Sequence, residues 1–302
     1  MPMLTIGSRG SKLALWQARW VARRLEQFGH TARIQIIKTT GDKITGVALS
    51  RVGGKGLFTK EIEEALLARS IDLAVHSMKD VPTELPAGLT LGAVSEREDP
   101  RDGVAGGRLA ELAPGAKVGT SSLRRAAQLR LLRPDLTIEN IRGNVDTRLR
   151  KLDEGRYDAV VLACAGLRRL GLEDRIAEPL PVDVMIPAVG QGALGIEIRD
   201  EDGPVAEACR RLNHPPTRVA VDAERAFLAA LGGGCQVPVG AHARMSGGEL
   251  LLEAIVISPS GGRPVRGRVS GPADDAEALG RGLGEELLER GAREIMEEVY
   301  GS

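Results

Sequence analysis

Leu4-Thr5-Ile6-Gly7-Ser8-Arg9 and Lys117-Val118-Gly119-Thr120-Ser121-Ser122 are two versions of one phrase. Each is a short apolar strand leading into a helical pattern. Leu13, Trp16, Trp20 and Leu25 share one broad face after the first, and Leu123, Ala126 and Leu129 follow the second. A second strand comes next in both places, Ile34 to Lys38 and Leu136 to Ile141, then a helix, then a third apolar strand. The third strands also match in type, Ile71-Asp72-Leu73-Ala74-Val75 against Tyr157-Asp158-Ala159-Val160-Val161. The chain therefore reads as two copies of a βαβαβ unit. That predicts an α/β fold with helices packed on mainly parallel sheets and the carboxyl ends of the strands gathered around a shared cleft.

The copies lie about 112 positions apart at the first turn and about 86 apart at the third strand, so the first copy carries an insertion of about 26 residues. It falls around Thr40 to Lys60 and holds Gly41, Gly46, Gly53, Gly54 and Gly56, which predicts a mobile flap. Gly53-Gly54-Lys55-Gly56 is not a phosphate loop, because Leu49 stands where a Walker sequence needs glycine and Gly56 where it needs Ser or Thr. Lys55 is expected to bring one charge to the cleft as the flap closes. Pro179 to Gly192 is rich in proline and glycine, and the apolar Ala193 to Ile198 after it can return to the first sheet as an extra strand, making a double-crossing hinge. After Pro215 a helix, three antiparallel strands (Val237 to Met245, Leu250 to Ser258, Pro264 to Ser270) and a helix from Ala273 to Arg290 predict a small α+β domain. The expected domains are 1–97 with 193–213, then 98–192, then 214–302.

Composition narrows the function. In 302 residues, Lys+Arg 41 balances Asp+Glu 41 and aromatic residues are 2%, which argues against a nucleic-acid partner: neither a broad basic footprint nor a stacking platform is present. Cys164, Cys209 and Cys235 are few, odd in number and widely spaced, as in a reducing cytosol. There is no apolar signal core and no run of about 18 apolar residues, so neither export nor membrane insertion is expected. His30, His76, His214 and His242 lack ligand spacing, and no metal is expected.

Charge is concentrated rather than net. Between Gly119 and Arg150 stand Arg124, Arg125, Arg130, Arg133, Arg142, Arg148 and Arg150, against Asp135, Glu139 and Asp146. Guanidinium groups grip carboxylate or phosphate through paired bonds, so the cluster predicts a small ligand with several anionic groups. Arg9 and Ser121-Ser122 follow equivalent strands near helix N-termini, where backbone donors favour anions. Asp80 ends the run Ala74-Val75-His76-Ser77-Met78-Lys79-Asp80-Val81-Pro82, which suits it to proton transfer or to stabilising a cation, although it equally suits a turn before Pro82. Cys235 follows Gly232-Gly233-Gly234 and is sterically open. Cys164 and Cys209 read as inert core thiols, and His76 as a partly buried structural histidine.

Several of these blocks, in this order, resemble the porphobilinogen deaminase (hydroxymethylbilane synthase) family. They are Ser8-Arg9 with Leu13 to Gln17, Gly53 to Phe58, His76 to Pro82, Glu96 to Asp102, Gly119 to Arg125, Arg142-Gly143-Asn144 with Thr147-Arg148-Leu149, Pro187 to Gly192, and Gly233 to Pro238. The resemblance implies two periplasmic-binding-protein-like domains and a third bearing a cysteine, acting as a monomer. It implies a dipyrromethane cofactor, built from two substrate units and joined by a thioether to Cys235. Porphobilinogen, which carries acetate and propionate, would be deaminated and added head to tail in four units, and hydroxymethylbilane released. Asp80 would bind pyrrole N–H groups and stabilise the azafulvene cation. Arg9, Ser11, Arg124, Arg125, Arg142, Arg148 and Arg169 would hold carboxylates, and Lys79, Thr120 and Ser122 the cofactor. Arg51, where lysine is common, and Asp146, where glycine is common, depart from the pattern without removing a group the chemistry needs. Two other readings are a non-catalytic two-lobed binding protein for an organic polyanion, which gives Cys235 no role, and a cysteine-nucleophile hydrolase, for which Cys235 lacks a histidine motif.

Overall fold

The computed structural model describes residues 3–43, 58–201, 203–233 and 237–300. They form two compact units, Met1–Glu98 with Ala193–Arg218, and Asp99–Gly192 with Val219–Ser302. The first unit opens with β1 (Met3–Ser8), α1 (Lys12–Gln27), β2 (Thr31–Ile36), α2 (Lys60–Leu67), β3 (Leu73–Ser77) and β4 (Leu89–Val94). The second holds β5 (Asp102–Ala105), β6 (Lys117–Gly119), α3 (Leu123–Leu132), β7 (Thr137–Glu139), α4 (Val145–Asp153), β8 (Ala159–Ala163), α5 (Cys164–Arg169) and β9 (Glu178–Pro179). The chain returns to the first unit with β10 (Leu194–Arg199) and α6 (Pro204–Arg210).

The sheets run β2-β1-β3-β10-β4 and β7-β6-β8-β5-β9. In the first, β1 is parallel to β2 and β3, while β10 is antiparallel to β3 and β4. In the second, β6 is parallel to β7 and β8, while β5 is antiparallel to β8 and β9. The topology is the same, and the fourth strand of each sheet is the one laid down just after the chain has crossed over. The return of Ala193 to Ile198 as an added strand is as the sequence suggests. Its counterpart β5 escapes sequence reading, because Asp102-Gly103-Val104-Ala105 is too short and too small in its side chains to signal a strand.

The duplication extends to single bonds. Asp72 Oδ2 accepts from Thr5 N at 2.7 Å and Asp158 Oδ2 from Lys117 N at 2.7 Å, so the same carboxylate ties the third strand to the first in both copies. Ser11 caps α1 by accepting from Ala14 N at 3.2 Å, and Ser122 caps α3 by accepting from Arg125 N at 3.4 Å. The buried face of α1 differs from the expected one: Gln17, Ala18, Val21, Ala22 and Leu25 are buried, while Leu13, Trp16 and Trp20 are half-buried. Small side chains let the helix lie close on the sheet, and the tryptophans cover its flanks.

Beyond β10 the chain forms α7 (Pro215–Ala230), an antiparallel meander of β11 (Val239–Ser246), β12 (Glu249–Val256) and β13 (Val265–Gly271), then α8 (Ala276–Leu287) and α9 (Arg293–Tyr300). The expected helix from Ala273 to Arg290 corresponds to α8, and α9 is a further helix beyond it, set off by Gly291 at a φ of 106°. Phe227, Leu250, Leu252 and Leu287 are fully buried in the core of this part. A separate contact of Ala127 and Ile186 with Ile255 and Ile257 joins the α3 side of the second unit to its meander.

Candidate active site

The first unit presents Asp80 on a single 3-10 turn, Met78–Asp80, directly after β3. The turn is held from below: Met78 is 1% exposed and its N–H donates to the Ala193 carbonyl at 3.0 Å. Pro82 disfavours helix at the residue before it, and Val81 is extended, so the turn stops there. Gln17 Nε2 donates to Ser77 Oγ at 2.9 Å, tying α1 to the end of the strand. Asp80 itself is exposed, and among the described residues its carboxylate makes no hydrogen bond or ion pair. Lys79 beside it is half-buried. Arg9 is half-buried after β1, its guanidinium 4.0 Å from the centre of the Phe58 ring. Ser11 uses its oxygen as a helix cap, which leaves its O–H free to donate.

The second unit gathers the arginines at the start of α3. Arg124 Nη1 donates to Asp102 Oδ2 at 2.7 Å and to the Ile186 carbonyl at 2.7 Å, and Arg125 Nε donates to Asp102 Oδ1 at 2.9 Å. Adjacent residues on a helix face different ways, yet these two close on one carboxylate because Asp102 starts β5 below the helix N-terminus. Gln191 Nε2 donates to the same Oδ1 at 2.9 Å. Burial pushes the Asp102 pKa up, but the Arg124 and Arg125 charges outweigh it and hold the carboxyl well below the usual range. Arg124 is lowered, first by burial and also by Arg125, with Asp102 opposing. Its Nε is buried without a hydrogen-bond partner among the described residues.

Arg148 on α4 is half-buried, and its Nε donates to the Gly143 carbonyl at 2.7 Å. Its pKa is pulled down to about 10 by burial and then by Arg125 and Arg142, so it stays charged at neutral pH in a cationic neighbourhood. Thr120, 3% exposed, accepts from Ser122 N at 3.2 Å through Oγ1. The structure thus brings Thr120, Ser122, Arg124, Arg125, Arg142 and Arg148 together. Arg169 on α5 is buried and donates to the Gly192 carbonyl. Asp146 sits in the first turn of α4, where a negative charge complements the helix dipole.

Lys55, Arg51 and Cys235, with most of the expected flap, lie outside the described residues. At the near edge of that segment Thr40 N donates to Glu61 Oε1 at 2.7 Å. Cys164 and Cys209 are fully buried, and burial pushes both thiols up to about 12, which suits core packing and not nucleophilic work. His76 is more enclosed than its sequence suggests, 5% exposed and bonded to the buried Glu197. Asp102, Gln191 and Glu197 are the polar residues that sequence reasoning passed over. Asp102 and Gln191 lie in stretches that carry the family resemblance, and that was their only signal.

Against known proteins, residues 4–207 match the family description "Porphobilinogen deaminase, dipyromethane cofactor binding domain", and residues 219–289 match "Porphobilinogen deaminase, C-terminal domain". The chain is 57% identical over 301 residues to the porphobilinogen deaminase of Pelobacter propionicus, covering 98% of this chain and 97% of that one. The chain belongs to the porphobilinogen deaminase family. The Geobacter sulfurreducens deaminase is 56% identical, with 98% and 95% covered. Solved structures similar to it include the methionine-binding protein MetQ (TM-score 0.45, 13% identity, 70% of this chain and 89% of that one). Another is a periplasmic substrate-binding protein from Coxiella burnetii (TM-score 0.43, 14% identity, 74% and 97%).

A porphobilinogen deaminase must hold a group that bears several carboxylates, and the residues fit it. The charges that bear on Arg148 are both positive, and the buried carboxylate at the cluster, Asp102, already serves Arg124 and Arg125. Anionic substituents would relieve that repulsion, with N–H donors at the start of α3 to receive them.

Proposed function

We propose that this chain deaminates porphobilinogen and joins four units head to tail on a dipyrromethane primer, releasing hydroxymethylbilane. It is a transferase of tetrapyrrole synthesis. The cofactor supplies the growing end to which units are added, and the protein holds it and manages charge. The reading of a non-catalytic polyanion binder is not favoured, since the relatives matching nearly the whole chain are named as enzymes.

In this proposal Cys235 bears the thioether. Arg9, Ser11, Arg124, Arg125, Arg142, Arg148 and Arg169 hold carboxylates, Lys79, Thr120 and Ser122 hold the cofactor, and Lys55 adds a charge. When ammonia leaves the substrate's aminomethyl group, positive charge develops on the pyrrole, and the Asp80 carboxylate neutralises it while accepting from the ring N–H. A carboxylate without a competing partner is equipped for that task, and among the described residues Asp80 has none. The roles divide over three domains, 1–97 with 193–213, 98–192 and 214–302. No helix among the described residues is long and apolar enough to cross a membrane; a cytoplasmic monomer is part of the proposal.

The observation that carries the reading is the match of nearly the whole chain to porphobilinogen deaminases, including the dipyrromethane cofactor binding domain. Intact mass tests it: the purified protein should exceed its sequence mass by two pyrrole units, mapping to the peptide with Cys235, and should colour with acidic Ehrlich reagent. An active protein of unmodified mass would reject the cofactor attachment.

A further inference from the structure

Beneath the strand that ends in the Asp80 turn lies a buried polar cluster that the reaction as described leaves without a role. His76 on β3 is 5% exposed and Glu197 on β10 is 0% exposed, with His76 Nε2 at 2.9 Å from Glu197 Oε2. A carboxylate only accepts, so the Nε2–H donates. In the antiparallel register Gly195 stands opposite His76 and Ala74 opposite Glu197, so the two side chains meet diagonally across the β3–β10 seam. Glu63 of α2, 8% exposed, lies within their electrostatic reach. Burial pushes its pKa up, Thr59 and His76 oppose, and Glu197 and Glu64 push it further. Glu63 Oε1 and Glu197 Oε1 are both buried without a hydrogen-bond partner among the described residues.

Such a cluster is expensive, because each buried ion costs several kcal/mol before pairing. Its location suggests what the cost secures. Among the described residues the Asp80 carboxylate has no partner, so its position is inherited from the chain that precedes it. That stretch is held through the Met78 N–H by Ala193, through the Ser77 hydroxyl by Gln17, and through the His76 ring by Glu197. Ala193 and Glu197 belong to the returning segment, which thus holds the end of β3 and the start of the turn from one side through two bonds. We propose that His76 and Glu197 are positioning residues for Asp80, clamping the end of β3 to β10 so that the carboxylate meets the developing charge. This rests on the reading in which Asp80 stabilises that charge.

The test compares H76F and H76Q as holoenzymes, with bound cofactor verified by intact mass and folding by circular dichroism. H76F keeps a ring and removes the donor. It should lower kcat by about tenfold with KM within about twofold, the pattern expected when a reacting group is misplaced and not lost. H76Q keeps an N–H near the place of Nε2 and should recover most of that loss. Full kcat in H76F, with only a lowered Tm, overturns the proposal, as does an equal loss in H76Q. If H76F does not fold, E197A against E197Q carries the same comparison, and equal activity in that pair overturns it. D80N assayed alongside separates the two readings. An inactive D80N with a fully active H76F removes only the clamp, while an active D80N removes the role of Asp80 itself.

Discussion

Asp80 is exposed and without a partner among the described residues, whereas Asp102 is fully buried between two guanidinium groups. The two carboxylates therefore predict opposite mutant behaviour. D80N should fold and retain cofactor but lose turnover by about a hundredfold or more, since an amide cannot neutralise a developing cation; kcat on the holoprotein checks it. D102N strands two buried arginines and should cost about 3–5 kcal/mol in urea unfolding, the penalty for removing one member of a buried ion pair. Because the Asp102 pKa is depressed, its contribution is present above the unfolded value of about 3.9 and is lost only as pH falls through the lower folded value. Glu63 has the opposite sign. With its pKa raised, its contribution is complete below about 4.3 and declines as pH rises through the folded value. E63Q, an isostere of the neutral acid, should therefore raise Tm relative to the unmutated protein more at pH 9 than at pH 5. An equal difference at both pH values would show that Glu63 is ionised throughout. At this scale the sequence singles out Asp80 and the arginines as candidates by residue type and order. It could not reveal that Arg124 and Arg125 share Asp102, because the pairing depends on a strand of four residues reaching a helix more than 20 positions later.

Elements reproduce the duplication more faithfully than their side-chain patterns do. The strand, turn and capped helix recur in β1–α1 and β6–α3, with a serine at each cap. S122A should cost about 1 kcal/mol through loss of the cap. It also removes a hydroxyl proposed to face the cofactor, so reduced cofactor occupancy should accompany the lower Tm; normal occupancy would confine Ser122 to capping. In the last part of the chain α8 crosses α7 at glycine. A Cβ at Gly280 would strike the Ala223 carbonyl, and one at Gly284 would strike the Ala230 side chain. G280A should destabilise by about 1–3 kcal/mol, because backbone cannot yield as a side chain can, and differential scanning calorimetry would detect it. The sequence shows an amphipathic helix there. It cannot show that the helix approaches its neighbour closely enough to exclude a methyl group.

For the whole molecule, the family match and the clustered arginines lead to one expectation. A chain without cofactor keeps neighbouring guanidinium groups whose mutual repulsion an added anion would reduce. C235A, which removes the proposed attachment point, should melt lower than the holoprotein, by roughly 2–4 °C for each kcal/mol of binding lost. Sulfate should restore part of the difference, and a Tm identical to the holoprotein without added anion would contradict the charge argument. By itself the sequence determined the α/β class, the internal repeat, the return of β10, the α+β tail and the family, because these rest on short-range periodicity and on motifs that stay contiguous. Tertiary structure alone decided that β5 mirrors β10, that Asp102 closes on two arginines, and that His76 finds Glu197 across a seam 121 residues long in the chain. Each of these is a contact between distant segments. The two polar pairings draw their strength from attraction in a low-dielectric interior, which must repay the cost of stripping water from the groups, and no local pattern of residues encodes which distant partner will be there.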